Sequence, residues 1–142
     1  MNFKHILLVE DNEGDIILTT EVLEESGIAK KISVARDGME AIQFLTRTGA
    51  FTNVEVPDLI LLDINLPKKN GFEVLKFIKE NDAIKHLPVI MLTTSSSDTD
   101  IEIAYKNYAN SFVTKPTQLS DFMEAILKIE AFWLNTAAYP RR

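Results

Sequence analysis

DLILLD, residues 58–63, is the stretch on which the fold turns. Four aliphatic residues, Leu59 to Leu62, stand between Pro57-Asp58 and Asp63. A short apolar run bounded by turn signals reads as a strand buried on both faces, the kind found in parallel sheets. Three more runs stop at a polar residue in the same way. HILLV (5–9) ends at Glu10 and Asp11, VIML (89–92) at Thr93, and SFVT (111–114) at Lys115, followed by Pro116. Open parallel sheets bind ligands at the carboxyl ends of their strands, so these residues are expected on one rim. Carboxylates, a hydroxyl and an amine gathered there suggest phosphoryl chemistry.

Outward from these runs the chain alternates. Strands are predicted near 5–9, 31–35, 58–62, 88–92 and 111–114, and helices near 14–26, 38–48, 71–81, 98–107 and 118–135. Strand starts recur at the length of a βα unit, which predicts a parallel sheet with helices on both faces. Asn12 can cap the first helix and Ser26-Gly27 can end it. Asp37-Gly38 and Asn70-Gly71 mark the turns into the second and third helices, Ser96 or Ser97 can cap the fourth, and Thr117 the fifth. The longest irregular connection, RTGAFTNVEV (47–56), carries a phenylalanine and valines that are expected to pack on the body. No composition break marks a second domain, so one domain over 1–142 is expected, with an extended C-terminal helix and tail over 118–140.

Composition narrows the function. A formal net charge of −6 lacks the basic footprint of a nucleic-acid binder. No run approaches the roughly 18 apolar residues of a membrane span, and no signal peptide is evident. The absence of cysteine excludes disulfides and thiolate chemistry, and a cytoplasmic protein is the expectation. His5 and His86, the only histidines, have no partner at metal-ligand spacing and read as structural.

Each strand-end residue has an ordinary reading and a chemical one. A lone Asp after a strand is commonly a turn or cap residue. Asp63 instead leads into Ile-Asn-Leu-Pro67 rather than a helix start, and Glu10-Asp11 should lie across the rim. Clustered carboxylates repel unless water or a cation relieves them, and hard oxygen ligands suit Mg²⁺. Asn65 could turn its main-chain carbonyl toward the same ion. Lys115 could neutralise a phosphoryl group, and Pro116 raises the chance of a cis peptide in a tight turn. Thr93 could bond a phosphoryl oxygen.

Glu10-Asp11, Asp63, Thr93 and Lys115-Pro116, in this order on five βα units, resemble the receiver domain of two-component response regulators. The resemblance implies a flavodoxin-like α/β fold, (βα)5 and doubly wound, with a five-stranded parallel sheet of order 2-1-3-4-5. It implies that Asp63 accepts a phosphoryl group from a histidine kinase and that Asp11, Asp63 and Asn65 hold Mg²⁺, with Glu10 acting through water. Lys115 would contact the phosphoryl group, Thr93 would be the switch hydroxyl, and Phe112 would occupy the switch-aromatic position. Such a protein takes part in its own phosphorylation and dephosphorylation without being an enzyme in the turnover sense. Phe112 has no hydroxyl, so an inward switch state would rest on packing alone.

VEDNEGDIIL (9–18), the long connection before the third strand, and the tail from Lys128 to Pro140 look like single-domain receivers that pair with phytochrome-type kinases. By the same analogy Ile16 and Ile17 on the first helix would meet the kinase. Ile126, Ile129, Trp133 and Ala137 fall on one helical stripe with Phe132 beside it. With Ile103 expected to be exposed on the fourth helix, Phe132 and Trp133 predict a homodimer through the face of helix 4, strand 5 and helix 5. Two rivals stand beside this reading. A haloacid-dehalogenase-like phosphatase would need a second Asp where Asn65 stands, and an acidic ligand after the lysine, whereas Asp121 falls within a predicted helix. The other rival is a receiver-like adaptor that is never phosphorylated.

Overall fold

The computed structural model describes residues 5–26 and 29–136. Five strands, β1 (His5–Val9), β2 (Lys31–Ala35), β3 (Leu59–Leu62), β4 (Val89–Thr93) and β5 (Ser111–Thr114), form one parallel sheet of order β2-β1-β3-β4-β5. Between and after them lie α1 (Glu13–Ser26), α2 (Gly38–Thr46), α3 (Gly71–Glu80), α4 (Asp98–Lys106) and α5 (Leu119–Glu130). This is the doubly wound, flavodoxin-like architecture expected from the alternation.

Side-chain alternation divides the core. Ile6 and Leu8 of β1, Leu59 and Leu61 of β3, and Ile90 and Leu92 of β4 pack with α1 and α5. Leu7 and Val9, Ile60 and Leu62, and Val89 and Met91 pack with α2, α3 and α4 on the other face. The central strands are buried throughout because both faces are covered. The edge strands β2 and β5 are only half-buried. Phe51, Val54 and Val56 of the long connection pack against the α2–α4 side, as their apolar character predicts.

Local capping chemistry sets most helix starts. Asn12 Oδ1 accepts from Asp15 N–H, Asp37 caps α2 through Glu40 N–H, and Ser97 caps α4 through Asp100 N–H. Asn70 and Glu73 form a reciprocal capping box at α3. The fifth helix departs from expectation. Its N-cap is Gln118 with no side-chain bond, not Thr117, because the chain stays extended one residue further (φ −84°, ψ 134°). Nor does one helix continue to 135: α5 ends at Glu130 and a π-helical segment, Ala131–Thr136, follows. Ile126 and Ile129 are buried, as the stripe required, and Trp133 is half-buried against the same cluster. Phe132 is exposed and meets Trp133 edge-on with centroids 5.3 Å apart, while residues 137–140 of the expected tail lie outside the described residues.

The Lys115–Pro116 peptide is trans, since no cis bond occurs among the described residues. This corrects the expectation for Pro116. Chain reversal through a cis turn is not needed where β5 runs on extended toward α5, and the trans form is favoured by roughly 0.5–1 kcal/mol even before proline.

Candidate functional site

The rim residues are rigid because each lies just past its strand yet still bonds to the neighbouring one. Glu10 N–H donates to Ala35 O at 3.0 Å, Asp63 N–H to Val9 O at 3.1 Å, and Lys115 N–H to Thr93 O at 2.7 Å. The sheet thus extends by one peptide on each of these strands, and the side chains emerge from an ordered backbone. Two glycines complete the frame. Gly71 N–H donates to Ile64 O at 2.7 Å, folding the loop after Asp63 back on itself. A Cβ on Gly71 would sit 2.1 Å from the Asp63 carbonyl oxygen, and one on Gly38 would sit 1.9 Å from Lys69 O. Both glycines are therefore demanded by close approach of backbone, beyond the turn signal that their sequence context carries. Gly71→Ala should destabilise the fold by about 2–3 kcal/mol. Urea denaturation is the check, with an unchanged midpoint contradicting the packing argument.

On this frame Glu10, Asp11 and Asp63 each bring a carboxylate oxygen within 4.8 Å of the others. Glu10 and Asp63 are buried and Asp11 is exposed, so the trio opens to solvent on one side. Glu10 Oε2 accepts from the N–H groups of Asp11 and Asn12, both at 3.1 Å. Asp63 Oδ1 accepts from Ile64 N–H at 2.8 Å, leaving Oδ2 toward Lys115. The donor set is all oxygen, part solvated and negatively charged, which fits a hard divalent cation that keeps several waters. Asn65 is exposed on the loop two residues beyond Asp63.

Lys115 is buried and sits among acids. Its Nζ bonds Glu10 Oε1 and, at 2.9 Å, Asp15 Oδ2, with Asp63 Oδ2 at 3.8 Å. Burial works against the lysine charge, but the bonds to Glu10 and Asp15 and the nearby Asp63 outweigh it, so Lys115 stays protonated above the ordinary lysine value. Burial also pushes Glu10 up, opposed by its bond to Lys115 and reinforced by Asp63. Three carboxylates surround the one ammonium and favour its charged form. Asp15, which lies four residues past Asp11 in the VEDNEGDIIL segment that carries the phytochrome-type resemblance, joins the rim through Lys115, a contact the resemblance did not assign.

The remaining candidates are spread over the α4–β5 side. Thr93 is fully buried at the end of β4. Ser95 donates its hydroxyl to Asp100 Oδ2 at 2.7 Å and accepts from Thr114 Oγ1 through its carbonyl at 3.1 Å, tying the loop after Thr93 to α4 and β5. Phe112 is half-buried against the α2–α4 core, and its backbone N–H donates to the Tyr105 hydroxyl at 3.1 Å. A hydroxyl is therefore present beside Phe112, supplied by α4. Ile103 is half-buried, not the exposed apolar residue expected, whereas Tyr105, Tyr108 and Phe132 are exposed.

Three comparisons bear on this geometry. Residues 6–127 match the response regulator receiver domain family. The chain is 44% identical over 137 residues to response regulator Rcp1 of Synechocystis sp., covering 96% of this chain and 93% of that protein. It superposes on the crystal structure of the phosphorylated cyanobacterial phytochrome response regulator RcpA with a TM-score of 0.95 and 44% identity, over 99% of this chain and all (100%) of that one. The Mn²⁺-bound form of Rcp1 gives a TM-score of 0.93 at 44% identity, over 97% and 99% of the two chains. Likeness this extensive in sequence and in fold has one source: the chain belongs to the response regulator receiver domain family.

Proposed function

We propose that this chain is a phosphoacceptor of a two-component relay, receiving a phosphoryl group on Asp63 from a histidine kinase. The observation that carries the reading is the Asp63 carboxylate, with Oδ1 fixed by Ile64 N–H and Oδ2 facing Lys115 beside two further carboxylates. In the transfer, Asp63 Oδ2 forms a bond to phosphorus as the P–N bond of the donor phosphohistidine breaks, and the departing imidazole keeps the electron pair and takes up a proton. Lys115 spreads the negative charge on the phosphoryl oxygens, and its attachment to Glu10 keeps it at the rim. Asp11, Asp63 and the main-chain carbonyl of Asn65 would hold Mg²⁺, with Glu10 acting through water. Bound there, the ion supplies charge neutralisation for the phosphoryl oxygens. That the relative Rcp1 has a Mn²⁺-bound form supports binding of a divalent cation, and the clustered carboxylates of Glu10, Asp11 and Asp63 fit one.

Thr93 then takes the switch role, bonding a phosphoryl oxygen, and Phe112 follows it inward. Tyr105 links that movement to α4, since its hydroxyl bonds the Phe112 backbone. RcpA, on which this chain superposes, is a cyanobacterial phytochrome response regulator, so a phytochrome-type photoreceptor kinase is the proposed donor. Ile17, exposed one turn from the rim, is a proposed contact for it.

Acetyl phosphate with Mg²⁺ tests the chemistry, and phosphotransfer profiling against histidine kinases tests the partner. One acid-labile phosphoryl group per chain supports the receiver reading. Repeated turnover of p-nitrophenyl phosphate would establish the phosphatase instead, and no reaction at all would establish the adaptor. The homodimer through α4, β5 and α5 also belongs to this proposal, supported by exposed Tyr105, Tyr108 and Phe132. Sedimentation at high micromolar concentration should show a dimer. Monomer alone, with and without acetyl phosphate, would count decisively against it.

A further inference from the structure

Lys115 is shared among three carboxylates, and its two close bonds are not to the phosphoacceptor. An ammonium has three donors. Two of them are committed, to Glu10 and to Asp15 at 2.9 Å, while the acceptor carboxylate of Asp63 stands at 3.8 Å. Asp15 does not belong to the cation-type trio of Glu10, Asp11 and Asp63. It is the third residue of α1, its own N–H is capped by Asn12 Oδ1 at 2.9 Å, and the helix N-terminus favours its negative charge. Its side chain is thus fixed over Lys115 by the helix and not by the sheet.

We propose that Asp15 is a positioning residue that holds Lys115 back from Asp63 in the unphosphorylated protein and so limits the rate of phosphorylation. The proposal rests on the phosphoacceptor reading and adds a regulatory element to it. A phosphoryl oxygen on Asp63 and the Asp15 carboxylate compete for the same ammonium. As Lys115 turns to the phosphoryl group, the tie between the end of β5 and the first turn of α1 loosens. That turn leads directly into buried Ile16 and exposed Ile17.

The test is the initial rate at which acetyl phosphate, at saturating Mg²⁺, phosphorylates Asp63. In Asp15→Asn the rate should rise about fivefold, a modest gain because the Asp15 side chain is 34% exposed and its ion pair is partly screened. Asp15→Glu should return the rate toward that of the wild type, and the gain should vanish when Lys115 is also replaced by Met. A residue that served only to hold α1 together would slow the reaction or leave it unchanged. If the Asn variant folds poorly by circular dichroism, Asp15→Ser removes the same charge and should show the same acceleration. An equal or slower rate in a reacting protein overturns the proposal alone, as does a gain that persists without Lys115. A wild-type chain that takes no Asp63-dependent phosphoryl group overturns the phosphoacceptor reading and this proposal with it.

Discussion

Asp63→Asn should reduce phosphoryl incorporation from acetyl phosphate or a phosphorylated kinase to background. An amide has no charged oxygen to attack phosphorus, and no other rim carboxylate is placed like this one. Glu10 is occupied by Lys115 and two backbone N–H groups, and Asp11 is exposed at the mouth. The same substitution should stabilise the protein in the absence of divalent cation. It removes one of three negative charges whose oxygens lie within 4.8 Å of one another, while an Asn Oδ1 can still accept from Ile64 N–H. The lost attraction to Lys115 at 3.8 Å offsets part of the relief, leaving a gain of about 1 kcal/mol. Thermal melts in chelator and in millimolar Mg²⁺ check this. The variant should melt higher in chelator, and the wild type should recover the difference on binding the ion. A variant that still accumulates acid-labile phosphate would move the acceptor elsewhere on the rim.

Lys115→Met should damage both the chemistry and the fold. Kinetically it removes the charge proposed to face the phosphoryl group, worth about 10²-fold in the rate of phosphorylation. Structurally it strands Glu10, a carboxylate only 3% exposed, at a cost of about 3 kcal/mol. Glu10→Gln in the same chain should recover most of the stability, because Gln Oε1 can keep the bonds from Asp11 and Asn12 N–H, and should recover none of the rate. Denaturant curves of the two single variants and the double variant give the cycle. No recovery in the double variant would mean that the loss comes from packing and not from the stranded charge. The pH dependence has a definite sign. Lys115 is raised above its ordinary value of 10.5, so its contribution to stability is complete below that pH. It disappears as pH climbs through the raised value.

Much of this is legible in the amino-acid sequence alone. The strand assignments at 5–9, 31–35 and 111–114 coincide with β1, β2 and β5, because apolar runs between turn residues are a local signal. Asn12 and Ser97 cap helices as expected, and Asp37 and Asn70, expected as turn residues, cap α2 and α3, since capping joins residues three apart. Sheet order followed from the receiver resemblance rather than from periodicity, and the structure bears it out. The gathering of Glu10, Asp11, Asp63 and Lys115 on one rim followed from their shared position at strand ends. At Ile103 the miss had a tertiary cause. Ile103 looked exposed on a helical wheel but is half-covered in the folded protein, and the helix after β5 changes to a π-helical course beyond Glu130.

The sequence by itself determined the βα alternation, most of the caps and the placement of the reactive residues at strand ends, because each depends on neighbours within a few positions. Only the tertiary structure decided which partners those residues keep. Lys115 pairs with Glu10 and Asp15, 105 and 100 residues away. Gly71 is required by an Asp63 carbonyl that leaves no space for a Cβ, and the hydroxyl beside Phe112 comes from Tyr105 on α4. Contacts of this kind depend on how α1, α3 and α4 lie against the sheet, and on distances of a few ångströms set by packing the whole core. Periodicity and motif spacing carry the direction of a side chain along its own element, but not what stands opposite it.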